Sequence, residues 1–273
     1  MDKINIFGAT GFIGSQFYNC YKEYCIIQEK DDNIPKSNNI LYLISTVDNY
    51  NVFDNPNLDI DTNLSKLVEV LKNCKDKNIT FNFVSSWFVY GKLKNLPAKE
   101  TYTCNPSGFY SITKKCAEDL LISYCNTFNI KYRILRLSNV YGNTDINASI
   151  KKNALQYLVM RIKNNDPIDL YNDGNFTRDY IHVTDACRAI NLCIESAGLN
   201  EIINIGSGKK YKFKKLIDFL IKMTDSKSIV SSKDPSEFHK LVQVKDMYLD
   251  VAKLKRLGFK ENFNIFDGLE TLI

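Results

Sequence analysis

Tyr110 and Lys114 stand four residues apart in a stretch that reads as helix, so both side chains fall on one face. A free phenol titrates near about 10 and is a poor base at neutral pH, but an ammonium held beside it favours the phenolate. Bringing such a phenol to neutrality takes about 4 kcal/mol, a task suited to a nearby lysine together with the positive ring of an oxidised nicotinamide. Ser86 ends a neighbouring apolar run and offers a hydroxyl that can bond and orient the same substrate oxygen. Taken alone, Tyr-x-x-x-Lys also fits a solvated helix face. It becomes informative because it opens a helix after a strand ending in Ser85-Ser86, downstream of a glycine turn.

That turn is Gly8, Gly11 and Gly14, placed after a short apolar run from Ile4 to Phe7. Glycines there allow the turn, let backbone amides approach a pyrophosphate and pack helix on strand. The helix N-terminus beyond adds its partial positive charge. Gly8, Thr10, Gly11, Phe12, Ile13 and Gly14 are therefore expected to bind a dinucleotide, with Ser45 beyond the run Ile40–Ile44. Glu29 lies twenty-one residues after Gly8, where a carboxylate accepts from the adenosine ribose hydroxyls and disfavours a 2′-phosphate. It also fits a solvated residue at a strand end. Lys30 beside it suits NADP, so the expected cofactor is NAD, with NADP possible.

These residues need strands to carry them, and the chain alternates accordingly. A helix over 14–22 precedes a strand at Tyr24–Gln28, and a polar loop over 30–39 leads to the strand Ile40–Ile44. A helix follows at 57–73, with Leu64, Leu67, Val68 and Leu71 on one face. Next come a strand from Ile79 to Val84, a helix over 107–128 and the strand Lys131–Leu137. The pattern predicts an α/β fold with a doubly wound (Rossmann) parallel sheet. Residues 30–39 leave no room for a helix and a strand, so one edge βα unit is expected to be missing. Further on, the reading is a helix at 147–164, a strand Ile168–Tyr171 and a turn Asn172–Gly174. A helix at 185–196, a parallel strand Glu201–Ile205, a helix near 213–223 and a last one near 251–257 follow. We expect residues 1–145, completed by about 178–205, to form the NAD(P)-binding unit, and 146–177 with 206–273 a smaller substrate-binding lobe.

Bulk composition narrows the class. The chain has 273 residues, 44% apolar and 25% charged, with a net charge of +5 that forms no basic block suited to nucleic acid. No apolar run approaches the roughly 20 residues of a membrane span, and the first strand begins too early for a signal peptide. Eight cysteines occur without a C-x-x-C and with only two histidines, so reduced thiols in a cytoplasmic protein are expected, with no metal site and no membrane.

Taken together, these motifs resemble the extended short-chain dehydrogenase/reductases of the nucleotide-sugar epimerase/dehydratase group. The resemblance spans nearly the whole chain. It rests on Gly8-x-x-Gly11-x-x-Gly14, Ser85-Ser86-Trp-Phe-Val-Tyr90-Gly91, Tyr110-x-x-x-Lys114, Leu135-Arg-Leu-Ser-Asn139-Val-Tyr-Gly142, Arg178-Asp-Tyr-Ile-His-Val-x-Asp185 and Asn204-Ile-Gly206. It implies Ser86, Tyr110 and Lys114 as catalytic residues, with Tyr110 and Lys114 also touching the cofactor. It implies Ser86, Asn139 and Arg178 as substrate contacts, the last two on the nucleotide diphosphate. A guanidinium fork suits phosphate, although Arg178-Asp179 also fits a buried ion pair. Sugar 4,6-dehydratases of the group carry Thr-Asp-Glu where this chain has Ser86-Trp87-Phe88, and Trp and Phe cannot move protons. The group often places an arginine on the diphosphate near the C-terminus; Lys240 stands in roughly that place.

Three functions remain open at this point. One is a nucleotide-sugar epimerase that transfers hydride at C4. Another is a reductase of a nucleotide 4-keto-6-deoxysugar, and the third a cofactor-sensing binding protein on the same fold, which commonly lacks the Tyr/Lys pair. The resemblance also implies a homodimer through helices 57–73 and 107–128. Ala117, Leu120, Leu121 and Tyr124 give the second helix an apolar face that core burial explains equally well.

Overall fold

Six short apolar runs pair into a single parallel sheet. The computed structural model describes residues 3–75, 77–143, 145, 149 and 153–273. The strands are β1 (Ile4–Phe7), β2 (Cys25–Ile27), β3 (Asn39–Tyr42), β4 (Thr80–Ser86), β5 (Lys131–Leu137) and β6 (Glu201–Ile205). Their order is β6-β5-β4-β3-β1-β2, all parallel. From β1 the chain winds out to β2, then crosses back to β3 on the other side. The reversal lies between β1 and β3, and ligands of such sheets bind outside the strand ends at that point.

The expected loss of an edge unit is what the structure has: β2 is the edge strand. A loop without its own ladder needs other partners for its backbone. Two buried amides supply them. Asn5 Nδ2 donates to Gln28 Oε1 at 3.0 Å, and Gln28 Nε2 donates to the carbonyls of Asp32 at 2.8 Å and Ile34 at 3.2 Å. Lys36 N donates back to Asn5 Oδ1 at 2.8 Å.

Helices cover both faces. On one side lie α1 (Phe12–Tyr21) and the later Val183–Ser196, where Phe17, Ile190 and Cys193 pack on Ile4, Ile6, Leu135 and Ile203. The opposite face carries α2, which runs through Asn57–Ile60, a π-helical turn Asp61–Ser65 and Lys66–Lys72, and α3 (Phe109–Phe128). Leu67, Val70, Leu71, Ala117 and Leu121 pack there on Ile40, Phe81 and Ile134. Burying each such aliphatic side chain contributes about 1.5–3 kcal/mol. The expected inward face of α2 is corrected at one position: Val70 is buried whereas Val68 is exposed. Val68 follows the π turn, whose wider winding changes the phase of the helix.

A separate apolar cluster joins α4 (Ala154–Lys163) and Phe213–Thr224 with Ile168, Leu170, Ile265 and Leu269. The helix expected from 147 begins at Ala154 among the described residues; residues 147, 148 and 150–152 lie outside them. The helix expected near 251–257 is Ala252–Arg256, while Glu237–Val242 and Ile265–Glu270, six residues each, were not anticipated. All eight cysteines are unpaired. Among the described residues no helix is long and apolar enough to cross a membrane.

Candidate active site

The glycine turn at the end of β1 has three separate physical reasons. Gly8 has φ +89°, a region that side chains with Cβ rarely adopt. A Cβ on Gly14 would stand 2.2 Å from the Gly8 carbonyl oxygen, so this glycine lets α1 press onto the turn. A Cβ on Gly11 would meet nothing in the chain closer than 3.5 Å, an ordinary contact. The fold itself does not demand glycine there, whereas a phosphate approaching the backbone would. Gly11 is the N-cap of α1, no side chain caps that end, and its first turn holds no acidic residue. The free amides and helix dipole are thus left to an anion. Thr10, Phe12 and Ile13 line the same turn. Glu29 is exposed two residues beyond β2, beside β1. This set fits a dinucleotide.

Tyr110 and Lys114 occupy the first turns of α3, facing the end of β4. Tyr110 is 6% exposed, with Phe88 edge-on to its ring at 6.0 Å. The hydroxyls of Ser86 and Ser45 both favour the ionised form of its phenol. Burial pushes the phenol up to about 12; the two serines oppose that, while the charges of Asp59 and Asp48 add to it. Lys114 Nζ donates to the Val84 carbonyl at 2.9 Å and lies 4.2 Å from the centre of the Phe83 ring. Burial pushes this amine down to about 7, with the charge of Glu118 opposing. Its cationic form is therefore costly unless negative charge arrives beside it.

Arg178 is the second buried cation of this region. Its Nη1 donates to the carbonyls of Thr177 at 2.9 Å and Lys245 at 2.7 Å, and its guanidinium lies against Phe176 and Trp87. The alternative of an ion pair with Asp179 fails. The Asp179 carboxylate instead accepts from Ser207 N, Ser207 Oγ, Gly208 N and Leu249 N. Asn139 opens the short strand Asn139–Tyr141, its Nδ2 donating to the Asp179 carbonyl at 2.9 Å. Lys240 is exposed and bonds Glu237 at 2.7 Å.

Several residues of this region escaped the sequence reading. Trp87 and Phe88 registered only as missing acids, yet Trp87 lies beside Arg178 and Phe88 against Tyr110. A pair of aromatics directly after the serine was the available signal. His239 bonds the Tyr50 hydroxyl through Nδ1 at 2.8 Å and lies 4.5 Å from Tyr171, linking two distant parts of the chain. No local pattern announces such a contact. The Ser45 hydroxyl, anticipated as a cofactor contact, donates to Asn63 Oδ1 at 3.0 Å and to the Thr46 carbonyl at 2.7 Å.

Residues 33–206 match the model of the NAD dependent epimerase/dehydratase family. That is more than half of the chain, and the protein belongs to this family. Over 236 residues it is 28% identical to a putative UDP-glucose 4-epimerase of Methanocaldococcus jannaschii, covering 86% of this chain and 75% of that one. It is 27% identical over 269 residues to a dTDP-4-dehydro-6-deoxyglucose reductase of Escherichia coli, covering 95% and 83%. Among solved structures it superposes with a TM-score of 0.89 on the UDP-N-acetylglucosamine 4-epimerase of Methanobrevibacter ruminantium, solved with UDP-N-acetylmuramic acid. The identity there is 23%, over 99% of this chain and 96% of the other.

Proposed function

We propose that the protein is an NAD-dependent nucleotide-sugar epimerase that works by hydride transfer at C4 of the sugar. The observation that carries this reading is Arg178, a buried guanidinium without a carboxylate partner among the described residues, on the same aromatic wall as Tyr110. A buried unpaired cation is costly, and a diphosphate compensates it. Asn139 borders the same anion. When bound, the nicotinamide supplies the hydride acceptor and a positive charge.

The chain's own residues do the rest. Tyr110 takes the proton of the C4 hydroxyl as hydride leaves that carbon, and returns it when hydride comes back on the other face. Ser86 holds the sugar oxygen. Lys114, raised toward its charged form by the phenolate, steadies that anion. Trp87 and Phe88 keep water away, which strengthens each of these charges. Residues 146–177 and 206–273 serve as the substrate lobe over the NAD-binding unit formed by 1–145 and about 178–205.

The test is to incubate the purified chain with UDP-glucose and NAD and look for UDP-galactose, with mass spectrometry of any nucleotide sugar that co-purifies. Interconversion without net consumption of cofactor is expected. Failure on UDP-glucose, UDP-N-acetylglucosamine and UDP-glucuronate alike overturns the reading. A second reading is favoured by the Escherichia coli relative: reduction of a nucleotide 4-keto-6-deoxysugar, with Tyr110 as acid. It predicts stoichiometric oxidation of NADH or NADPH by dTDP-4-keto-6-deoxyglucose.

A homodimer in the cytoplasm completes the proposal. Leu58, Val68, Ile112 and Leu120 are exposed on α2 and α3, while Ala117 and Leu121 belong to the core. Light scattering that gives a monomer mass at micromolar concentration would remove the dimer.

A further inference from the structure

We propose that Asn49 is a positioning residue for Tyr110: reaching from the turn after β3, it caps the first turn of α3 and fixes Tyr110 against the sheet. This rests on the reading of Tyr110 as the acid/base.

A helix leaves its first amides without partners, and the N-cap side chain ordinarily accepts from one of them. Asn153 and Asn264 cap their own helices in this way, through Gln156 N and Phe266 N. At α3 the N-cap residue is Gly108, which has no side chain to offer. Its backbone, at φ −95° and ψ 153°, is the extended shape that a serine or asparagine N-cap adopts. One half of a capping box is nevertheless present. Gly108 N donates to Ser111 Oγ at 3.0 Å, and that hydroxyl donates to the Gly108 carbonyl at 2.8 Å. The other half, an acceptor for Ser111 N, comes from another segment. Ser111 N donates to Asn49 Oδ1 at 3.3 Å. A backbone amide only donates, so this contact also fixes which end of the Asn49 amide is oxygen.

Glycine stands at 108 because the Asn49 amide fills the space beside it. A Cβ there would lie 2.0 Å from Asn49 Oδ1, 2.3 Å from its Cγ and 2.8 Å from its Nδ2. Asn49 and Ser111 are 2% and 1% exposed, which keeps water from taking over the bond. The turn that carries Asn49 is itself held. Asp48 Oδ1 accepts from Tyr50 N at 2.8 Å, and the Tyr50 hydroxyl bonds His239 Nδ1 at 2.8 Å. A cap supplied by the helix itself would stabilise α3 yet leave its end free to shift on the sheet. A cap from the β3 turn joins the two. Tyr110, the second residue of the helix, lies between the N-cap and the capped amide, so the join sets its place relative to the β1–β3 reversal. A misplacement of about 1 Å in such a group costs up to about a hundredfold in rate.

The test is a cycle of Asn49→Ala, Gly108→Ser and both together, read by Tm and by turnover of UDP-glucose with NAD. Asn49→Ala should lower Tm by about 2–4 °C. Its kcat should fall about tenfold to a hundredfold, with KM for UDP-glucose within about twofold. Gly108→Ser alone should also lower Tm, because its Cβ meets the Asn49 amide. In the double variant that amide is gone and the introduced hydroxyl accepts from Ser111 N. Tm should then return to the parent value while kcat stays low. Recovery of kcat together with Tm overturns the proposal, since Asn49 would then be only a cap. A native kcat in Asn49→Ala overturns it too, and so do Tm changes that simply add around the cycle. Tyr110→Phe separates the two levels. If that variant stays active the acid/base reading fails, whereas the Tm cycle judges the cap without any substrate.

Discussion

Arg136 and Arg178 are both buried guanidinium groups, and the chain treats them in opposite ways. Arg136, on β5, donates through Nε and Nη2 to both oxygens of Glu118 at 3.0 and 2.6 Å, and Ser85 Oγ bonds the same carboxylate at 2.6 Å. Burial works against its charge, but the Glu118 bonds and charge outweigh that and raise its pKa. Arg178 has two carbonyls and two aromatic rings, and burial pulls its pKa down. Arg133 guards against reading too much into a missing carboxylate. It also lacks one, but Nε, Nη1 and Nη2 all donate, to Asn82 Oδ1 and the Ala197 carbonyl. At Arg178 both hydrogen bonds come from Nη1, and among the described residues the rest of the fork has none. Where a cation ties β5 to α3, the fold compensates it internally; beside Tyr110, on the function proposed above, it leaves Arg178 and Lys114 for charge brought by a ligand.

The largest effect expected on the ligand side is at Tyr110. Tyr110→Phe keeps the ring against Phe88 and removes the mobile proton, so turnover should drop by about 10²–10⁴-fold. Folding and NAD binding should persist, as steady-state kinetics beside a cofactor titration would show. Near-native turnover would mean that another group carries the proton.

On the compensated side the effect should fall on stability. Glu118→Ala strands Arg136 in the core, which costs about 3–5 kcal/mol, read as a lower urea midpoint. Replacing both partners, Glu118→Leu with Arg136→Met, should recover most of it, because two charges leave together. If the double variant is no better than the single one, the pair holds more of α3 than its charge balance implies.

Arg178→Met should do the reverse. Nucleotide-sugar affinity, measured calorimetrically with UDP-glucose, should weaken about tenfold to a hundredfold, as for lost hydrogen bonds to a charged group. Stability without nucleotide should hold or rise. A variant that binds normally but unfolds early would place Arg178 with Arg136 and dissolve the contrast.

Much of this was legible because it is local. The strands Lys131–Leu137, Ile168–Tyr171 and Glu201–Ile205 follow from apolar runs bounded by polar residues, and the glycine spacing marks the turn after β1. The missing edge unit could be read from length alone. What replaces it could not: Asn5 and Gln28 meet only once β1 and β2 are paired. The same limit hid His239 against Tyr50. Periodicity failed at Val68 because a π turn alters the winding that the pattern assumes. Lys114 was legible as to position but not as to state. Its spacing from Tyr110 suggested a charged neighbour, and only burial reveals how costly that charge is.

The smallest effect expected follows from that cost. Lys114 has its pKa pushed from 10.5 down to about 7 in the folded chain by burial. Below pH 7 the folded and unfolded chains both carry the proton, so the burial cost is present in full. Between 7 and 10.5 the unfolded chain binds more protons, and stability rises with pH until the cost is relieved. Lys114→Met removes the charge and keeps a flexible apolar stem beside Phe83. Its Tm should exceed that of the parent chain at about pH 6, by about 2–4 °C for each kcal/mol relieved in a chain of this size. The margin should shrink as pH climbs past 7 and vanish near the unfolded lysine value. Activity should be lost at every pH, which separates this gain from a general improvement in folding. A lower Tm at about pH 6 would mean that the Val84 carbonyl and the Phe83 ring already compensate the ammonium. Lys114 would then belong with Arg136, among the cations the fold keeps for itself.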